Sequence, residues 1–223
     1  MRTRHLILAL LAGAALVVPL GALSACSSSS ASTVPDQVPS ATGSPSAAPV
    51  SAFGLATSAK YRLSIRYPLR WVSAVQAAKA GDKVVTALLS MTWADPKGAV
   101  VGSGFVDTLH VSVYQMSKKV GPRDVITHHS AFVAIVASML KGYPGLRITE
   151  PISPITLNGT PGLQVTYTYT VQGTHVGAMS YLLPKGTYGY WVTGQSSEST
   201  WSSTWSKLAP AMASFTIGPV KGS

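Results

Sequence analysis

Hydrophobic residues recur along this chain in three ways. Leu6 to Val18 forms an apolar run. Further on, several stretches alternate apolar and polar residues, the period of a half-buried strand. Tyr61, Leu63, Ile65 and Tyr67 alternate with Arg62, Ser64 and Arg66. Val84 to Trp93 predicts a second strand, and Phe105 to Met116 a third with Leu109, Val111 and Val113 on one face. Leu163, Val165, Tyr167, Tyr169 and Val171 predict another, followed by strands at Val176 to Leu183 and Tyr188 to Thr193. Gly173 and Lys185-Gly186 separate these last three as turns, which predicts an antiparallel meander.

Two segments have the helical period. After Pro122, Asp124 is placed to cap a helix to about Lys141, ended by Gly142 and Pro144. Its apolar stripe is Val125, His129, Phe132, Val136 and Met139. Ile126, Val133 and Ile135 widen that sector, so burial on two sides is expected. A face of small residues (Thr127, Ala131, Ala134, Ser138) is the alternative docking surface. The second helix spans about Ser197 to Ala213, with Trp201, Trp205, Leu208 and Met212 on one face. Glu198 suits its N-terminal dipole, and Pro210 is expected to kink or shorten it.

The leading apolar run changes where the protein is expected to work. Arg2 and Arg4 precede it, Pro19 and Gly21 discourage its continuation, and Leu23-Ser24-Ala25-Cys26 follows. This is an export signal of 1–25 ending in a lipobox-like sequence, with Cys26 as the lipidation site. The run is short for a membrane span, which needs about 20 residues. The expected location is the outer face of the cytoplasmic membrane, in the cell envelope, with the membrane contacted through the lipid at Cys26. Cys26 is the sole cysteine, so once acylated it leaves no thiol for a disulfide or a nucleophile. Residues 26–52 are rich in Ser, Ala, Pro and Thr and read as a disordered tether. Residues 53–219 have the composition and length of one globular domain, and 220–223 read as a flexible tail.

Three local patterns accompany this order of elements. Tyr67-Pro68-Leu69-Arg70-Trp71 closes the first strand, Asn158-Gly159-Thr160-Pro161-Gly162 opens the long one, and Ser214-Phe215-Thr216-Ile217 follows the last helix. Together they resemble the PsbP-like fold, and more closely the actinobacterial LpqN-type lipoproteins. The resemblance implies an α+β domain: an antiparallel β-sheet flanked by helices on both faces, an α/β/α sandwich. It implies a non-catalytic binding or accessory role, although fold alone does not carry function.

The candidate chemistry is thin. His128 and His129 are neighbours on a helix and point about 100° apart, and His110 and His175 fall on strands, so no metal site and no cofactor is expected. Ser138-Met139-Leu140-Lys141 matches S-x-x-K, but at the end of a helix, and Lys185-Gly186-Thr187 inverts the partner motif. Gly102-Ser103-Gly104 reads as a loop. Asp82, Asp95, Asp107, Asp124, Glu150 and Glu198 share no short spacing that nominates a glycosidase pair. No catalytic residue is therefore assigned. The alternatives are an envelope hydrolase whose residues meet only in the fold, or a carrier of an apolar ligand needing a closed aromatic-lined cavity.

Charge is the informative property. The chain carries +10, and removal of Arg2 and Arg4 with the signal leaves about +8. Lys60, Arg62, Arg66 and Arg70 gather around the first strand, and Lys118, Lys119 and Arg123 precede the first helix. These are the expected partner-binding residues, suited to anionic lipid, a phosphate-bearing wall polymer or an acidic envelope protein. Protection of a sheet edge by charge is the competing explanation. Export makes nucleic acid an unsuitable partner.

Overall fold

The computed structural model describes residues 52–77, 87–101 and 104–218. The signal, Cys26, the tether up to residue 51, Asp82, Ser103, Pro219, Val220 and the rest of the 220–223 tail lie outside the described residues. Within them the chain is mixed α+β and mostly strand.

β1 (Phe53–Ser58) and β2 (Leu63–Pro68) form a hairpin, to which β11 (Thr216–Ile217) adds on the β2 side. Residue Arg62 does not begin the strand as its alternation suggests. It has φ +53° and its amide donates to Ala59 O at 3.2 Å, so Ala59–Arg62 is the turn. The alternation in β2 holds: Leu63 and Ile65 are fully buried, and Arg66 is exposed.

The main sheet is antiparallel with order β3-β4-β7-β10-β9-β8. Its strands are β3 (Val72–Ala77), β4 (Leu89–Ala94), β7 (Thr108–Val120), β8 (Arg147–Leu157), β9 (Thr160–Val171) and β10 (Thr174–Ser197). A small ribbon of β5 (Val100–Val101) and β6 (Gly104–Phe105) lies between β4 and β7 in sequence. The predicted Phe105–Met116 strand is thus divided. Val106 and Asp107 interrupt it, since the Asp107 carboxylate is drawn inward, and β7 runs on to Val120. The described part of the predicted Val84–Trp93 strand starts later, at Leu89.

The 24 residues of β10 form one unbroken run of strand, yet they fold back on themselves. Ser180 Oγ lies 2.7 Å from Thr193 Oγ1, whereas 13 intervening steps of extended chain would separate them by roughly 43 Å. The reversal falls around Lys185-Gly186, where Gly186 has φ +64°, a conformation glycine adopts without steric cost. One arm, Thr174–Leu182, pairs with β9, and the other, Tyr188–Gln195, pairs with β7. The meander read from Gly173 and Lys185-Gly186 is the arrangement observed. β8 carries Pro151 and Pro154 and has two register shifts against β9, as an edge strand tolerates.

The single helix expected over Asp124–Lys141 is two: α1 (Pro122–Thr127) and α2 (His129–Leu140). His128, at φ −112° and ψ 32°, leaves the helical region between them. Asp124 is not the cap. Gly121 occupies that place, Pro122 follows at the first helical position, and Asp124 Oδ2 accepts the Gly121 amide at 2.7 Å. α3 (Trp201–Ala213) starts four residues later than expected, behind a short 3-10 turn at Glu198–Thr200, and Pro210 does not end it.

Strand alternation sorts the core into two clusters. Leu109, Val111, Val113, Tyr190 and Val192 pack with Leu208, Ala211 and Met212 of α3 and with Leu63 and Ile65 of β2. Tyr114, Met116, Trp191 and residues 163, 165, 167 and 169 of β9 pack with Val125, Phe132, Val136 and Leu140 of the first helices. Trp201 stacks on Trp205 at 4.8 Å and lies over Gly177, where an added Cβ would come within 3.1 Å of its ring. Glycine there lets α3 seat closely on the sheet.

Candidate functional site

The strand directions give the main sheet two chemically different ends. At one end lie the start of β7 and the close of β10, and here the carboxylates converge. Asp107 is 1% exposed. Its Oδ1 accepts the Ser196 hydroxyl at 2.9 Å, the Ser197 amide at 3.1 Å and the Thr200 hydroxyl at 3.1 Å. Its Oδ2 accepts from Thr200 at 3.0 Å, and from the Ala99 amide and Thr204 hydroxyl at 3.4 Å. A carboxylate just before β7 thus satisfies donors at the entry to α3, where the helix dipole favours a negative charge. Beside it Asp95 is bridged to Lys207 at 2.9 Å and accepts the Lys97 amide at 3.0 Å. Burial works to raise the Asp95 carboxyl. The Lys207 and Lys97 hydrogen bonds and the Lys207 charge outweigh it and hold it below its ordinary value. The hydrogen bonds of these carboxylates lie within the domain, and they serve the fold.

The opposite end is cationic and outward-facing. β7 and β10 are paired at Tyr188 with Gln115 and again at Gly186 with Val120. Five steps of β7 therefore match two of β10, and the surplus residues Met116–Lys119 bulge beside the hairpin tip. Lys118 and Lys119 are exposed there, next to the exposed Lys185. The Lys185 ammonium donates to Ile217 O at 2.9 Å, and the following Gly218 amide donates to Arg62 O at 2.8 Å. Lys60 sits 5.2 Å above the Tyr61 ring, a cation–π contact, and Tyr61 meets Tyr188 edge-on at 5.4 Å. The Tyr190 hydroxyl donates to Tyr61 O at 2.9 Å. Burial and the neighbouring Tyr188 push the Tyr190 hydroxyl up to about 12, against a smaller opposite pull from Arg62.

Of the residues nominated from sequence, the structure gathers Lys60, Arg62, Lys118 and Lys119. Arg123, at the start of α1, follows Val120 by three residues. Arg66 projects from the middle of β2, opposite Leu55. Arg70 lies beyond the far end of β2, so the four residues of the first-strand group do not act from one place. Lys185, which the sequence places in a turn and in the inverted motif, is not among the residues nominated to bind a partner. An exposed lysine at the tip of a predicted hairpin was the available signal, but its neighbours come from three other segments.

The histidines are dispersed, and no group of three metal-ligating side chains occurs among the described residues. His110 Nδ1 meets the Thr92 hydroxyl at 2.8 Å, and its Nε2 meets the Ser112 hydroxyl. Burial pushes its imidazole down to about 4. His128 and His175 are exposed. His129 Nε2 is buried and has no hydrogen-bond partner among the described residues. His129 borders a hollow of about 430 Å3 with Val125, Ile126, Pro154, Ile155 and Pro161, whose lining holds none of the expected Trp or Tyr rings. Ser138 lies on α2 and Lys185 at the β10 tip, so the S-x-x-K resemblance remains a local match. Four of the described carboxylates have partners within the fold: Asp95 and Asp107 are engaged as above, Asp124 accepts the Gly121 amide, and Glu150 accepts from Thr166 at 3.1 Å, while Glu198 is exposed.

No protein-family model matches the chain, and no curated protein matches it. Solved structures similar to it include the solution structure of cyanobacterial PsbP (CyanoP) from Synechocystis sp. PCC 6803. That likeness has 13% identity and a TM-score of 0.48, and covers 79% of this chain and 98% of that one. LpqN of Mycobacterium tuberculosis, described as involved in cell envelope biogenesis, is similar at 13% identity with a TM-score of 0.44, covering 70% of this chain and 83% of that one.

Proposed function

We propose that this chain is a lipid-anchored envelope protein, acylated at Cys26, whose PsbP-like domain is a non-catalytic binding module for an anionic partner. The observation that carries this reading is the cationic end of the sheet. Lys60, Arg62, Lys118, Lys119 and Lys185 come from three chain segments, all are exposed, and none is in an ion pair with a described carboxylate. Two of them are held by the fold, Lys185 by Ile217 O and Lys60 by Tyr61, which reduces the ordering cost on binding. Such a field concentrates anions and steers their encounter.

The proposal is tested by crosslinking the full-length protein in its native envelope and identifying what is captured. Capture is expected to fall with salt and with reversal of Lys60 and Arg62 to glutamate. Capture that ignores both changes sinks the reading. Mass spectrometry of the mature product tests the anchor separately: a free Cys26 thiol with the leader attached excludes it.

A further inference from the structure

The cations at this end form a row instead of a ring. Lys118 and Lys119 stand on the β7 bulge, Lys185 on the adjoining β10 tip, then the β11 end, then Arg62 and Lys60 in the β1–β2 turn. The row starts on two adjacent strands of the main sheet, about 4.8 Å apart, and passes through the Lys185–Ile217 contact to the small sheet. A single phosphate would reach only one or two of these groups. A chain with an anionic group recurring every few ångströms would meet most of them together.

Two further observations separate a polymer from a lipid surface. Among the described residues the exposed large apolar ones are Leu55, Leu69, Val72, Val100, Phe105, Ile126 and Ile148, and none belongs to the row. The row therefore offers charge without an apolar side chain to enter a bilayer. The described chain also begins at Ala52, whose carbonyl accepts the Leu69 amide. That places the entering segment beside the Pro68 end of β2, while Lys60 and Arg62 sit beyond its Leu63 end. The cationic row and the point where the tether joins the domain are at opposite ends of the small sheet.

Resting on the anionic-partner reading above, we propose that the row Lys118, Lys119, Lys185, Arg62 and Lys60 is a binding site for a linear polyanion with repeating phosphate groups, at the end of the small sheet opposite Ala52. The interaction releases counterions, so about five contacts give roughly a hundredfold loss of affinity between about 50 and 200 mM salt.

The test uses full-length protein in neutral detergent micelles and fluorescently labelled long-chain inorganic polyphosphate, read by anisotropy. Binding is expected to weaken at least about tenfold in K118E/K119E/K185E, a variant whose circular dichroism and melting temperature report intact folding. Orthophosphate at equal phosphorus concentration is expected not to compete, nor are micelles doped with phosphatidylglycerol to compete better than neutral ones. Competition by orthophosphate, an unaffected variant, or displacement by phosphatidylglycerol as effective per phosphorus as the polymer overturns the proposal. Salt-sensitive envelope capture without polyphosphate binding overturns it too, but leaves the anionic-partner reading standing.

Discussion

The two ends of the main sheet use charge in opposite ways. At the Asp107 end the buried Asp107 carboxylate receives an amide and several hydroxyls from the segment that launches α3. At the Lys185 end, exposed ammonium groups are held against a backbone carbonyl or a ring, with their remaining donors facing solvent. The first arrangement fixes where a helix begins and has nothing left over for a ligand. The second contributes little to stability, because exposed charges are well solvated, and leaves its charge available. The distinction comes from partners and burial, not from residue type.

The largest test of this contrast is Asp107→Ala. It strands a buried amide and buried hydroxyls at once, so a loss of about 3 kcal/mol or more is expected in denaturant unfolding. A change below about 1 kcal/mol would show that the cradle is dispensable. The pH response should be next in size. The unfolded His110 imidazole takes up a proton near pH 6.5, while the folded one does so only near 4. Between these values the unfolded state binds more protons, so stability falls as pH drops from about 6.5 to 4, by up to about 3 kcal/mol. His110→Gln is expected to flatten that part of the melting-temperature profile, and an unchanged slope would assign it elsewhere.

Smaller effects belong to the cationic end. Gly186→Ala forces a Cβ into φ +64° with open space around it, so a cost of about 1 kcal/mol is expected from backbone strain alone. A larger loss would mean that the hairpin tip carries packing absent from the structure described above. K118E/K119E/K185E should move stability by no more than about 0.5 kcal/mol while weakening anion binding. A large destabilisation by that variant would erase the contrast between the two ends.

Periodicity alone placed β2, the two arms of β10, β9 and the apolar face of α3, though not where α3 begins, because each buries one face and exposes the other. Leu63 and Ile65 against Arg66, and Tyr190 and Val192 against Trp191, are partitioned as their alternation predicts. The break between α1 and α2 was not legible, since His128 and His129 have no helix-breaking chemistry. Nor was β8, whose two prolines conceal an edge strand. By itself the sequence determined the cationic excess, the lone cysteine, the meander and the identity of most lysines at issue. Only the tertiary structure decided which of them share a surface. It separated Arg70 from Arg62 and added Lys185, because a bulge in β7 and a hydrogen bond to Ile217 O join segments far apart in the chain. It likewise decided that Asp107 supports a helix, since the groups that occupy it lie some 90 residues away.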